Sequence, residues 1–194
     1  MTWFVFDTKL MALFFVITIN SLSLADDIKI KNESNLEIWV CCAVQWTSYD
    51  GLSYNSNSEV RGGWTIRKGE TKVISNVPKG GLVWISVNTN QPITYSIPKQ
   101  FTISKYTTFE HTANYASGRR TEYWTTLPDD AKALTSKSLG ATNRKNINGD
   151  DMSVGSEMMQ INSASTIVDF IRKGGQLIFY DTPLKGGGTF IVSF

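Results

Sequence analysis

The chain has 194 residues, which is enough for one domain with a sizeable hydrophobic core. Its 19 basic and 17 acidic residues nearly cancel, and the basic residues form no cluster, which argues against a nucleic-acid partner. One histidine and two adjacent cysteines lack the spacing of a zinc site, so we expect no metal and no cofactor.

The first 25 residues have the layout of a secretory signal peptide. Lys9 precedes the uncharged apolar run 10–19, and Ser23 and Ala25 are the small residues before a cleavage point. The run is shorter than the roughly 20 apolar residues of a membrane-spanning helix. We predict cleavage after Ala25 and an exported protein, periplasmic or extracellular, whose residues 26–194 form one β-rich domain without a further membrane span. An uncleaved anchor and a buried helix are the alternatives.

The next part of the chain alternates between short apolar strands and polar turns. Ile28 and Ile30 alternate with lysines, and Asn32 begins a turn that leads into the apolar segment "EIWVCCAVQW". We interpret the following "TSYDGLSYNSNSEV" as a polar loop. The segments "GWTI" and "TKVISNV" are predicted strands on either side of a turn at Lys68 and Gly69. In "GGLVWISVNTN", a set of three residues shares one face of a strand: Val83, Ile85 and Val87.

The two cysteines are neighbours, Cys41 and Cys42, inside a predicted strand. Adjacent side chains on a strand point to opposite faces, so Cys42 lies with Val40 and Val44 while Cys41 lies with Trp39. We therefore predict no disulfide between them and interpret both as buried small apolar residues. A vicinal disulfide and an intermolecular bridge are the alternatives.

The segment "RGGWTIRKGET" is the most patterned stretch of the chain. Gly62 and Gly63 permit backbone angles that other residues avoid, and Ile66 points the same way as Trp64 on a regular strand. We predict a strand-entry motif in which Trp64 covers the edge of a hydrophobic core. The alternative is an exposed Trp64 that binds a ligand.

The second half of the chain is less regular. We expect one further strand in "QFTISKYTTFEHTA", with Phe101 and Ile103 in phase, and a helix in "TTLPDDAKALTSKSLG". The polar segment 141–163 reads as a mobile loop, whereas "SASTIVDFIRKGGQ" favours a helix over a strand. The C-terminal segment 176–194 is interpreted as a hairpin around three glycines, 186 to 188. The predicted fold is mainly β: an antiparallel β-sandwich-like domain with one or two short helices in its second half.

No catalytic motif stands out in the sequence. His111 follows a strand pattern without a nucleophile motif near it, and the acidic pairs 129–130 and 150–151 are adjacent residues that do not converge on one point. The segment "NINGDDMSVGSE" lacks the ligand positions of a calcium loop. We leave the enzyme question open and favour a protein that is not an enzyme.

Aromatic residues at loops and strand ends are the remaining candidates for a binding site. Four of them have this placement: Trp46, Trp64, Tyr123 and Trp124. Such side chains on a β surface stack on sugars or anchor a protein partner. Trp39 and Trp84, inside strands, are expected to face packing layers.

Residues 28–88 resemble a bacterial family known as domain of unknown function 1036. The matching pieces are "IKNESNLEIWVCCAVQW", "RGGWTIRKGET" and "LVWISVN", in which Gly63, Trp64 and Gly69 fit the family pattern. Lys31 and Thr71 stand where the family has cysteines, Thr65 replaces a second Trp and Lys68 replaces a Pro. The resemblance implies an envelope-directed β domain. The absence of both family cysteines fits the absence of a disulfide bridge that would join them in the family. It implies no catalytic residue.

Three classes of function are compatible with these patterns. The favoured class is a secreted or periplasmic β-rich module with a binding or structural role. Its expected partner is a protein or a polysaccharide of the cell envelope. The second is a secreted hydrolase whose carboxylates converge only in the fold. The third is a small outer-membrane β-barrel, which the alternating C-terminal "TFIVSF" suggests and the short strands oppose.

Overall fold

The structure, a computed structural model, describes residues 25–49, 51–78, 81–91, 97–127, 142–154, 158–162, 164–185 and 188–194. These residues form thirteen strands and one helix. The strands are β1 (Ala25–Asn32), β2 (Ile38–Tyr49), β3 (Tyr54–Ile66), β4 (Thr71–Pro78), β5 (Leu82–Asn88), β6 (Lys99–Ile103), β7 (Thr108–Tyr115), β8 (Gly118–Thr126), β9 (Thr142–Lys145), β10 (Asp151–Val154), β11 (Met158–Ile161), β12 (Leu177–Lys185) and β13 (Thr189–Val192). The helix, α1, is Ala164–Arg172.

Most of the strands belong to one sheet of eight, in the order β6-β12-β5-β2-β3-β11-β8-β7. A second sheet has the order β13-β1-β4, and β9 and β10 form a separate hairpin. The pairs β1–β13 and β3–β11 are parallel, and the other pairs are antiparallel. The predicted fold class, a mainly β, antiparallel-rich and sandwich-like domain with a short helix in its second half, is confirmed.

The large sheet is curled. In a flat sheet, seven spacings of about 4.8 Å would hold β6 and β7 roughly 34 Å apart. The connection from Ile103 to Thr108 spans at most about 19 Å, because consecutive Cα atoms are about 3.8 Å apart. The backbone amide of Thr126 in β8 also donates a hydrogen bond of 3.0 Å to the Thr107 carbonyl within this connection. The two halves of the sheet therefore approach each other around a common core.

Each face of the curled sheet carries its own core. The inner face, on which Cys41 and Ala43 lie, packs against α1 through Ile167 and Ile171. The outer face carries Cys42 and neighbours from β2 and β5, and it packs against the three-stranded sheet of β1, β4 and β13. A smaller outer cluster joins the β9–β10 hairpin to β7, β8 and β11: Phe109, Trp124, Val154 and Met158. Apolar burial on both faces explains why β2 is a nearly continuous apolar run.

Several predicted strand faces are confirmed. Ile28 and Ile30 are fully buried, and Val83, Ile85 and Val87 share the outer core. Phe101 and Ile103 lie together in the inner core. The turn at Lys68 and Gly69 is present, with Gly69 at a φ of 77°. The helix favoured for 163–176 is α1, and Gly174 follows its last turn at a φ of 91°.

The predicted polar loop at 47–60 is wrong. Most of that segment belongs to β2 and β3, whose ladder continues without interruption to the pair Tyr49 and Tyr54. The segment extends beyond the helix and the three-stranded sheet that cover the two faces of the large sheet. Its residues at 47–48 and 51–56 are exposed. Polar residues on both faces of an extended hairpin remove the alternation that identifies a strand.

The predicted mobile loop at 141–163 is also wrong where the structure describes it. β9 and β10 pair with each other, and β11 lies between β3 and β8 with Met158, Met159 and Ile161 buried. Both faces of β11 are covered, so its apolar residues are consecutive and not alternating. A segment of four residues is also too short to show a period in the sequence.

Two further predictions about connectivity are wrong. The segment 100–113 contains two strands, β6 and β7, which lie at opposite edges of the curled sheet. The predicted C-terminal hairpin does not form, because β12 pairs with β5 and β6 whereas β13 pairs with β1 in the other sheet. In both cases the sequence indicates strands, but pairing depends on distant partners.

The predicted signal peptide falls almost entirely in residues 1–24, outside the described residues. The helix predicted in "TTLPDDAKALTSKSLG" falls mainly in 128–141, which also lies outside them. Within the part of the chain that the structure describes, no helix has the length and apolar character needed to cross a membrane.

Candidate functional site

A β-bulge in β3 sets the geometry of the site. Val40 of β2 pairs with Trp64, but the next residue, Cys41, pairs with Gly62, so Gly63 is an extra residue without a partner in the ladder. Gly62 and Gly63 have φ angles of 145° and 82°, which side chains rarely allow. One extra residue exchanges the two faces of a strand, and residues after the bulge therefore point opposite to the earlier alternation.

The bulge places Trp64 and Ile66 on the outer face and turns Thr65 to the inner face. Val60, before the bulge, belongs to the inner core, whereas Ile66, six residues later, belongs to the outer core. Thr65 is the cross-strand partner of Trp39, which is in turn the partner of Asn88 in β5. Three adjacent strands thus present one row of side chains, Thr65, Trp39 and Asn88, on the inner face.

Helix α1 faces this row and forms the other wall of a cleft of about 460 Å³. The ring centroids of Trp39 and Phe170 are 4.8 Å apart with a tilt of 41° between the rings. Both rings are only partly buried against the inner core. Hydroxyl and amide groups surround this aromatic pair, contributed by Thr65, Asn88, Thr89, Asn90 and Thr166. We call this site the cleft.

Gly63 determines how closely the helix approaches. A Cβ atom at Gly63 would lie 2.7 Å from the Thr166 hydroxyl oxygen and 3.7 Å from the Trp39 ring. The other end of the helix is fixed by Arg172, which donates a hydrogen bond of 3.1 Å to the Glu110 carboxylate. The absence of a side chain at position 63 therefore allows Thr166 and Trp39 to line the same cleft.

The charged groups of the cleft lie at its rim. Glu37 and Asp169 both line it, and their side chains are 61% and 62% exposed. Each carboxylate lies near an arginine: Glu37 is 3.7 Å from Arg67, and Asp169 is 4.0 Å from Arg172. Lys173 adds a positive charge. The rim therefore carries charges of both signs, and the walls consist of uncharged polar groups and aromatic rings.

The four aromatic candidates from the sequence do not form one site. Trp46 and Trp124 line a shared groove on the outer face, about 500 Å³ in volume. Trp64 packs, partly buried, against the outer core, with the Lys72 ammonium 5.7 Å from its ring centroid. Tyr123 lies on the inner side, where the Arg172 guanidinium covers its ring at 5.4 Å and donates a hydrogen bond of 3.3 Å to its hydroxyl.

The cysteines are free thiols on opposite faces of β2, Cys41 in the inner core and Cys42 in the outer core. Both side chains are fully buried. Burial raises the pKa of the Cys41 thiol far above its ordinary value, and burial raises the pKa of the Cys42 thiol to about 12. Neither group has the exposed, positively charged surroundings of a reactive cysteine.

The other polar candidates have structural partners. The Arg144 guanidinium lies 2.6 Å from the His111 Nδ1 atom and connects β9 to β7. In the β9–β10 turn, Asn148 and Asn146 donate hydrogen bonds to the Asp150 carboxylate and lower its pKa. No group of three or more His, Cys, Asp or Glu side chains among the described residues is placed to hold a metal ion.

Sequence reasoning missed the cleft. Trp39 was expected to face a packing layer, and the structure shows that it does so while one part of the ring lines the cleft. Phe170 fitted the helical apolar pattern and carried no sign of a ligand site. The only local signal was the glycine pair at 62–63, whose bulge reverses the faces of β3.

No known protein family matches the chain, and neither a curated protein nor a solved structure is detectably similar to it. The fold and the site therefore define a class only: a mainly β, sandwich-like domain with a cleft between its curled sheet and its helix.

Proposed function

We propose that the protein is an exported β-rich binding module that holds a neutral saccharide in the cleft between Trp39 and Phe170. The observation that carries this proposal is the aromatic pair, with its centroids 4.8 Å apart, surrounded by hydroxyl and amide side chains from β3, from β5 and the segment that follows it, and from the helix. Pockets that combine an apolar wall with a few convergent polar groups are the usual sites for small ligands. A sugar ring has apolar C–H faces and a rim of hydroxyl groups, which suits this combination.

The charge of the cleft supports a neutral ligand. A cationic ligand would gain from the aromatic rings, but an arginine already lies near each rim carboxylate. An anionic ligand would have Lys173 as its cationic contact and would also meet Glu37 and Asp169. The uncharged hydroxyl groups of a ligand can donate hydrogen bonds to amide and hydroxyl side chains and accept hydrogen bonds from them. Such a ligand neither competes with an arginine for a carboxylate nor meets a like charge.

A hydrolase is the second candidate, and one observation favours it. Glu37 and Asp169, from separate parts of the chain, line the same cleft. A glycosidase needs one of its two carboxylic acids to remain protonated, which an apolar environment usually achieves. Both side chains here are more than 60% exposed and lie near arginines, so the geometry favours binding over hydrolysis.

Ligand-observed NMR with a panel of neutral mono- and disaccharides tests the cleft. We expect saturation transfer to at least one sugar, and loss of that signal in Trp39→Ala. Trp84→Ala is the matched control, because Trp84 is also partly buried against the inner core but does not line the cleft. Equal loss in both variants, or binding of charged sugars only, would contradict the proposal.

The same panel separates binding from hydrolysis. A binding module releases no monosaccharide from the disaccharides of the panel, and Glu37→Gln and Asp169→Asn then retain saturation transfer. Release of sugar by the wild type that stops in both variants would instead support the hydrolase.

Export and an envelope partner belong to the same proposal. The apolar run before Ala25 supports secretion, and a polysaccharide of the cell envelope is the partner that a saccharide site would meet there. Intact mass of the exported protein tests the cleavage: a chain that begins at Asp26 is expected, and a retained Met1 would contradict it.

A further inference from the structure

The outer face of the curled sheet has a second concave surface, the groove, about 500 Å³ in volume. One cross-strand row crosses its floor: Val44 pairs with Glu59, Glu59 with Gln160, and Gln160 with Trp124. Val44 lies under the three-stranded sheet, and Trp124 lies under the β9–β10 hairpin. The strip between these two covering layers is the open part of the row.

The groove combines an indole with hydroxyl and amide groups. Trp46 stands beside this row, opposite Asn57. The Asn57 amide donates a hydrogen bond of 2.8 Å to the Ser48 hydroxyl, and Ser56 and Gln160 also line the groove. The distance from β2 to β8 across the floor is about 14 Å, because three strand spacings separate them. The groove is therefore long enough for more than one sugar ring.

A nearly buried ion pair forms part of the floor. Glu59 is 8% exposed, and its carboxylate accepts a hydrogen bond from the Arg61 Nε atom. The Arg61 guanidinium in turn lies 5.8 Å from the centroid of the Trp46 ring. A buried ion pair rarely improves stability over apolar residues of similar size, so its presence here calls for another reason. It provides a fixed hydrogen-bond acceptor beside Trp46 and leaves the groove without net charge.

We propose that the groove is a second binding site, for a neutral oligosaccharide chain that lies across strands β2, β3, β11 and β8. Hydroxyl groups of the chain bond to Glu59, Gln160 and Asn57, and one ring packs on Trp46. The inference is independent of the cleft, which lies on the opposite face of the sheet.

The structure argues against two other occupants. An extended peptide binds by adding a strand to a sheet edge, but β3 and β11 are interior strands with neighbours on both sides. A nucleic acid needs uncompensated positive charge, and the cation beside the groove, Arg61, is paired with Glu59.

Native gel electrophoresis in gels that contain a neutral soluble polysaccharide tests the groove. The probes are hydroxyethylcellulose, soluble starch, galactomannan and dextran, and we expect at least one to retard the wild-type protein. Trp46→Ala and Glu59→Gln are expected to weaken that retardation at least tenfold. Trp46→Tyr, which keeps an aromatic face, should restore most of it.

Trp64→Ala is the matched control, because Trp64 is also a partly buried outer-face indole beside a cation but lies outside the groove. Its retardation should equal that of the wild type. Trp39→Ala separates the two sites: loss of retardation in this variant but not in Trp46→Ala would assign the polysaccharide to the cleft and overturn the groove. Equal loss in Trp46→Ala and Trp64→Ala, failure of Trp46→Tyr to restore binding, or no retardation of the wild type by any probe would also overturn it.

Discussion

Strands β2 and β3 are neighbours of nearly equal length, yet only β2 keeps one alternation from end to end. Ile38, Val40, Cys42 and Val44 all belong to the outer core, and Cys41 and Ala43 belong to the inner core. In β3, Val60 is an inner-core residue and Ile66 an outer-core residue, although an even number of positions separates them. The difference arises from the single extra residue at Gly63.

The comparison shows what the bulge contributes to both sites. Before it, β3 presents Glu59 to the outer groove; after it, β3 presents Thr65 to the inner cleft. A regular strand would have placed Trp64 on the inner face, toward the helix. The bulge therefore allows one strand to serve the groove, the outer core and the cleft.

Adding a side chain at the bulge should have the largest effect. In Gly62→Ala, the new Cβ would lie 2.5 Å from the Cys41 Cα atom and 2.8 Å from the Val40 carbonyl oxygen, at a φ of 145°. Neither backbone atom can move without breaking the β2–β3 ladder, so we expect a loss of about 4 kcal/mol or more in the free energy of unfolding. Denaturant unfolding measures this loss.

Gly69→Ala is the control for the backbone angle alone. Gly69 also has a positive φ, 77°, but a Cβ there meets no atom within 4 Å. Its expected cost is about 1–2 kcal/mol, the usual cost of the left-handed conformation. Equal losses in the two variants would show that close contact with β2 is unimportant.

Trp64→Ala measures how well the bulge buries the residue that it turns outward. Trp64 is partly buried against the outer core, so we expect a loss of about 2 kcal/mol, less than the roughly 3–5 kcal/mol of a fully buried Trp. If Trp64 instead served a ligand, the loss would stay below about 0.5 kcal/mol. The midpoint of denaturant unfolding distinguishes these outcomes.

The two cysteines test the regular strand through the pH dependence of stability, an effect that is absent at neutral pH. Burial raises the pKa of both thiols, that of Cys42 to about 12, whereas an unfolded cysteine titrates near pH 8.5. The stabilising contribution is therefore complete below about pH 8.5 and is lost as the pH rises toward the folded pKa. We expect each thiol to cost about 1 kcal/mol of stability per pH unit above 9.

Unfolding curves between pH 8 and pH 11 measure this slope. The double variant Cys41→Ala with Cys42→Ala serves as the control, because it keeps the lysines and tyrosines that also titrate there. An identical slope in wild type and double variant would contradict burial of the thiols on both faces of β2.

The sequence alone determined the features that depend on neighbouring residues. Four local features were predicted: the alternation in β1 and β5, the apolar run of β2, the Lys68–Gly69 turn and the helix in 163–176. A side chain's face and a backbone angle follow from local geometry. The opposite faces of Cys41 and Cys42 follow in the same way.

Only the tertiary structure decided which strands pair and where the sites lie. Only four residues separate β6 from β7, yet the two strands lie at opposite edges of the curled sheet. β13 follows β12 in the chain but pairs with β1 in the other sheet. The Thr65–Trp39–Asn88 row and the Glu59–Gln160–Trp124 row each join strands that are distant in the sequence. Such contacts depend on which distant segments of the chain bury their apolar surfaces against one another. A local pattern reports that a residue is on a strand, but not which partner or which ligand its face will meet.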